Sequence, residues 1–333
     1  MTVRSLTSDS PIRPLNFIAA AALLLISGGA VAATPEAYPQ KPVRLIVPIA
    51  PGSVTDVIAR AASRDLAPRL GQTLVVDNRA GATGIIGAEL CARATPDGYT
   101  LCNIYTATTS INPHVFAKLP YDPVKDFKPV TNLYFVTGAL VTSAALPVKS
   151  VAELMALATA RPKTLSFGTI GAGSYPEMFL AWLNDRWKTS ITAVPYKGGG
   201  PITVALLANE IQLTAVGLGN MVGPLQSGQL RALAVSGAKR TRLLGDVPTY
   251  AEAGLGAFNG HLWWGLAAPA ATPDRIVSRL NNEFVRLFNE PAFADFLERN
   301  AVEAATGTPA EFGAFMRRDR EAAATLIVAM RPR

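Results

Sequence analysis

Val43-Arg44-Leu45-Ile46-Val47-Pro48-Ile49-Ala50-Pro51-Gly52-Ser53-Val54-Thr55-Asp56 reads as an apolar strand, a glycine turn and a Ser-x-x-acid helix start. A strand that stops at such a turn aims the unbonded N–H groups of the next helix past the sheet edge. Those donors and the positive end of the helix dipole suit a carboxylate or another small anion. The same order recurs at Leu165-Ser166-Phe167-Gly168-Thr169-Ile170-Gly171-Ala172-Gly173-Ser174-Tyr175-Pro176-Glu177. One such turn in each half predicts two lobes closing on a shared ligand.

Working outward, 333 residues suffice for two domains, and 49% hydrophobic against 17% charged residues excludes a disordered chain. The formal charge is +7, but the basic residues are scattered. No Lys/Arg run is interleaved with aromatics, so the excess reads as a mild field for anions and no nucleic-acid partner is expected. Arg4 and Arg13, the apolar stretch Phe17 to Ile26 and Ala30-Val31-Ala32 follow the order of a secretory signal. That order predicts residues 1–32 as a cleaved signal peptide and a periplasmic destination. Ten apolar residues fall short of the roughly 20 that span a bilayer. Cys91 and Cys102 stand eleven apart; a fold of this size needs no staple, so both are expected as buried free thiols rather than a disulfide.

The remaining segments alternate. After the first strand, Ile58, Ala62, Leu66 and Leu70 mark one helix face, with Pro68 expected to bend or end that helix and Gly71 beyond it. Further strands are predicted at Leu74–Val76 and Tyr99–Tyr105, with a helix from Gly81 to about Ala94 between them. Val130–Val141 reads as long extended structure crossing into a second lobe. There helices are expected at Val151–Thr159, from the second glycine turn through Trp182, and from Pro201. Strands are expected at Leu165–Phe167, Ile191–Pro195, Ile211–Val216 and Leu230–Val235. The chain returns near Phe258-Asn259-Gly260 through Leu262–Leu266 and ends in helix, including Arg275–Phe288. The fold class is α/β, two lobes, each a helix-flanked mixed sheet. The boundaries are 33–138 with 259–333 for lobe one, and 139–258 for lobe two.

Several motifs bear on chemistry. Thr106 and Thr108, in the hydroxyl-rich loop Thr106–Pro113, can donate to a ligand at the sheet edge or simply form a solvated turn. Trp263, Trp264 and Tyr196 can wall a pocket or pack a core. Asp56 and Glu177 sit in first helical turns, where they repel an incoming carboxylate unless they fold back as capping acids. Gly-x-Ser-x-Gly and Walker A patterns are absent, and His114 and His261 lack partners at ligand spacing. No metal, cofactor or catalytic residue is expected.

At these residues the sequence resembles the Bug (TctC-like) family of tripartite tricarboxylate transporter receptors. The matching stretches run along nearly the whole chain beyond the signal. They include Tyr38-Pro39-Gln40-Lys41-Pro42-Val43-Arg44, Val47-Pro48-Ile49-Ala50-Pro51-Gly52, Val76-Asp77-Asn78-Arg79-Ala80-Gly81-Ala82, Pro96-Asp97-Gly98-Tyr99-Thr100-Leu101 and Val194-Pro195-Tyr196-Lys197-Gly198-Gly199-Gly200-Pro201. The resemblance implies a hinge-bent, two-lobed periplasmic binding protein that is not an enzyme. It implies a small carboxylate held by Ile49, Gly52, Ser53, Val54, Thr55 and Asp56, facing Gly171, Gly173, Ser174 and Tyr196 to Gly199. The sequence departs from the family where Ser53-Val54 replaces two further glycines, where Glu177 replaces a frequent histidine, and where Gln212 and Val216 replace acids. The expected role is a monomeric receptor that delivers its ligand to the membrane permease subunits of a tripartite transporter; the alternative is a ligand sensor docking to a membrane sensor kinase.

Overall fold

A computed structural model describes residues 38–330 apart from 238, 257 and 259–261. The expected signal peptide, the return loop at Asn259-Gly260 and His261 therefore lie outside the described residues.

Two mixed sheets carry residues 38–330. The first holds β1 (Val43–Val47), β2 (Leu74–Asn78), β3 (Thr100–Tyr105), β4 (Phe127–Val136), β10 (Trp263–Pro269) and β11 (Val302–Ala304), in the order β11-β4-β10-β3-β1-β2. The second holds β5 (Gly138–Ser143), β6 (Ser166–Thr169), β7 (Thr192–Pro195), β8 (Leu213–Gly217) and β9 (Leu230–Val235), in the order β7-β6-β8-β5-β9. In the first, β2, β1 and β3 run parallel while β10 opposes both β3 and β4. In the second, β7, β6 and β8 run parallel while β5 opposes β8 and β9. Thr137 alone separates β4 from β5, so the extended run at 130–141 is two strands in two sheets.

The helices are α1 (Val54–Leu70), α2 (Ile85–Ala92), α3 (Asn112–Val115), α4 (Val151–Ala160), α5 (Tyr175–Trp187), α6 (Gly199–Leu207), α7 (Val222–Gln226), α8 (Asp274–Phe288), α9 (Pro291–Arg299) and α10 (Pro309–Met330). None of them is long and apolar enough to cross a membrane among the described residues.

Because β1 is covered on both faces, nearly all of its residues are apolar. Val43, Leu45 and Val47 pack beneath α1 and α8 with Leu66, Tyr134, Phe284 and Phe288. Ile46 points the other way, into a second cluster with Cys91, Cys102, Trp263 and Phe312. In the second sheet, Leu140, Phe167 and Leu213 meet Leu154 and Phe179, while Val141 and Val216 meet Ile202 and Leu206 on the opposite face.

The structure corrects two expectations and narrows a third. Pro68 does not end α1: the helix runs through it to Leu70 and closes on Gly71 in the left-handed region (φ 72°). A proline in the last turn removes one backbone bond without stopping the helix. The third helix of the second lobe opens at Gly199, two residues before Pro201. Cys91 and Cys102 form a disulfide rather than two free thiols. Both are buried, and α2 crosses β3 so closely that their Cα atoms stand 5.7 Å apart, within bridging range. Proximity decides the pairing, whatever the size of the fold. An eleven-residue link of this kind typically contributes about 2–4 kcal/mol.

Candidate functional site

Three helix N-termini approach one cavity. At α1, Ser53 has extended backbone (φ −71°, ψ 157°) and its Oγ accepts from the Asp56 N–H at 3.3 Å. Asp56 turns back: its Oδ2 accepts from the Gly52 N–H at 3.0 Å, and Arg60 lies 3.0 Å away. Burial pushes the Asp56 carboxyl up, but the hydrogen bonds from Arg60, Gly52 and Asn78 and the Arg60 charge outweigh it and hold the group below the usual carboxylate range. Asp56 is thus committed to the loop, and its charge faces Arg60 instead of the cavity.

At α5, Ser174 repeats the cap, its Oγ accepting from the Glu177 N–H at 3.4 Å. Pro176 stands in this first turn, so α5 offers one N–H fewer than α1. At α6 no side chain caps the helix; Gly198 (φ 150°) precedes it, and a Cβ there would come within 3.3 Å of Ile49 Cγ2 across the cleft. Only glycine lets this turn approach so closely.

The cavity between these ends has a volume of about 80 Å³. Ile49, Ser53, Val54, Thr55, Thr106, Ser174 and Gly199 of the expected residues line it. Gly52, Asp56, Thr108, Gly171, Gly173, Tyr196 and Gly198 do not. The lining also takes Tyr105, Ala107, Ile111, Val136, Ile170, Tyr175, Pro176, Val216, Gly217, Leu262 and Trp264, which sequence reasoning had not placed in the site, Trp264 apart. No charged side chain lines it among the described residues. Nor do those residues hold a His/Cys/Asp/Glu group that could take a metal ion.

Several residues outside that lining carry other bonds. Gly52 gives its N–H to Asp56. The Thr108 hydroxyl donates to the Tyr105 carbonyl at 2.8 Å and accepts from the Tyr105 N–H at 3.0 Å, closing its own turn. Gly171 to Gly173 hold the lobes together: Thr83 Oγ1 donates to the Ala172 carbonyl at 2.7 Å, and Asn112, whose Nδ2 donates to the Thr83 carbonyl, lies under Gly173.

Donors remain. Capping uses an oxygen lone pair of Ser53 and Ser174 and leaves each O–H to donate. The Thr55, Tyr175 and Gly199 N–H groups lie in first helical turns, where no intrahelical acceptor exists. Thr55 itself is buried, as is Tyr134. Tyr105 and Trp264 stack at 4.2 Å between centroids and 12° between planes, forming part of an otherwise apolar wall. The site can therefore hold an anion by oriented N–H and O–H groups, without a cation, against apolar surface.

Similarity to known proteins agrees with this geometry. The sequence model of the family described as "Tripartite tricarboxylate transporter family receptor" matches residues 58–331. Protein BugT of Bordetella pertussis (strain Tohama I) is 32% identical over 291 residues, covering 87% of this chain and 89% of that protein. The structure of R. palustris Rpa4515 with adipate superposes with a TM-score of 0.85 at 32% identity, covering 88% of this chain and 98% of the other. The periplasmic binding protein BugD gives 0.84 at 28% identity, over 88% and 98%. The fold is thus that of the periplasmic binding proteins, and the chain belongs to the tripartite tricarboxylate transporter receptor family, as a solute-binding receptor of the Bug (TctC) type.

Proposed function

We propose that the chain captures a small organic carboxylate in the cavity between its lobes and presents the closed form to the permease subunits of a tripartite tricarboxylate-type transporter. The observation that carries this reading is the approach of three helix N-termini, at Ser53–Thr55, Ser174–Tyr175 and Gly199, to one uncharged cavity. Adipate in the R. palustris relative supports the ligand class. Lobe one comprises 33–138 with 259–333 and lobe two 139–258. Closure is a hinge motion at Thr137 and the return strand, and ligand favours the closed population by bridging both lobes. Residues 1–32 act as the export signal that delivers the monomeric receptor to the periplasm.

A thermal-shift screen of carboxylates and their neutral amides tests the reading. A true ligand at 100 times its Kd adds about 2.7 kcal/mol of stability, readily seen as a rise in Tm. If no acid raises Tm, or the amides match the acids, the carboxylate reading is wrong.

A further inference from the structure

We infer that the preferred guest carries a single carboxylate on a compact apolar skeleton; this rests on the carboxylate reading above and narrows it. The donors and the apolar wall come from different strands. Ser53 and Thr55 follow β1, Ser174 and the Tyr175 N–H follow β6, and Gly199 follows β7. These strands stand on the side of each sheet away from the crossover. The crossover side is built from β4, β8 and β10, and its contributions are Val136, Val216, Gly217, Leu262 and Trp264. None of those five has a side-chain group able to bond a carboxylate, save the indole N–H of Trp264. Thr106, at the exit of β3, already accepts from the Trp263 N–H at 3.1 Å.

The donor supply is also short. Asp56 consumes the Gly52 N–H, and Pro176 deletes one from α5. What remains at the three helix starts, two serine hydroxyls and three first-turn amides, suits the four lone-pair sites of one carboxylate, and the unpartnered Tyr105 hydroxyl is buried beside Gly84. A second carboxylate would face Val136, Val216 and Leu262, with no cation among the described lining residues. Burying a charge without partners is strongly unfavourable. A methyl or ring edge at that wall is favoured instead, and the stacked Tyr105–Trp264 pair is part of the same surface.

Calorimetric titration of the purified protein with three matched sets decides the matter: butyrate, succinate and butyramide; hexanoate, adipate and hexanamide; benzoate, terephthalate and benzamide. On the skeleton that binds best, the monoacid is expected to bind at least about 10-fold tighter than its diacid, and the amide weaker still. A diacid that binds as tightly as or tighter than its monoacid overturns this inference and leaves the carboxylate reading standing. Absence of binding by any acid, or an amide equal to its acid, overturns both. V216N supplies a second check, because it puts amide donors on the apolar wall. It is expected to narrow the monoacid-to-diacid ratio, and an unchanged ratio in the folded variant refutes the role given to that wall.

Discussion

The helix starts at 53–56 and 174–177 share a sequence pattern and a cap, yet they use their glycines in opposite ways. Before α1, Gly52 turns inward within lobe one, where its N–H is held by Asp56 and a Cβ would meet nothing within 4 Å. Before α5, the Gly171–Gly173 turn reaches outward to lobe one: Thr83 donates to Ala172, and a Cβ on Gly173 would come within 2.9 Å of Asn112 Oδ1. Both glycines have nearly the same φ, 77° and 78°. The pattern specifies the cap; the opposing lobe decides whether the turn before it shapes a site or fastens two bodies together.

Substitutions at these two turns can break that comparison. The largest effect is expected from G173A. Besides the strain of about 1 kcal/mol of a left-handed alanine, it presses a methyl group on Asn112, so ligand affinity should fall about 10- to 100-fold while the ligand-free Tm drops only by what that strain costs. Affinity within about twofold of wild type by calorimetry would show that the turn is no fastening. Next comes D56N, expected to cost about 1–3 kcal/mol in urea denaturation through the lost charge-assisted bonds to Gly52 and Arg60.

The same carboxylate sets a pH dependence. Its folded pKa lies below the unfolded value, so its contribution is complete above about pH 4 and is lost as pH falls through the folded pKa. D56N should therefore flatten the acid limb of the stability profile; a limb as steep as wild type would assign acid sensitivity to other groups. S53A and S174A come third. Each removes a cap worth about 1 kcal/mol and one ligand donor, so both should lower Tm slightly and weaken binding about 10-fold. If only one of the pair weakens binding, the lobes do not share the anion. The smallest effect is G52A, with about 1 kcal/mol of strain, no clash and affinity within a fewfold of wild type.

What the sequence revealed follows the range of the interactions involved. Strand β1, the Ser53 and Ser174 caps and the buried face of α1 are set by neighbours three or four residues away, and they were legible. So was the two-sheet architecture, because the helix and strand periods alternate. The apolar wall was not legible: Val136, Val216 and Leu262 meet only because β4, β8 and β10 gather at the crossover. Trp263-Trp264 left core and pocket open, and alternation resolved them in opposite senses. Trp264 lines the cavity, while Trp263 packs among Phe312 and Phe315 and donates its indole N–H to Asp319 at 2.6 Å. Thr108 shows that a hydroxyl at a strand exit can bond to its own turn. Pro176 was readable as a missing donor, since proline lacks an N–H whatever the fold.

The Cys91–Cys102 bond makes the route of the chain visible in its chemistry. Molecules held back in the cytosol, where glutathione keeps sulfur reduced, would present two alkylatable groups after denaturation, and molecules that had crossed the membrane would present none. A gel shift with a maleimide reagent thus counts, in one lane, how much of the protein in a cell has met an oxidising compartment.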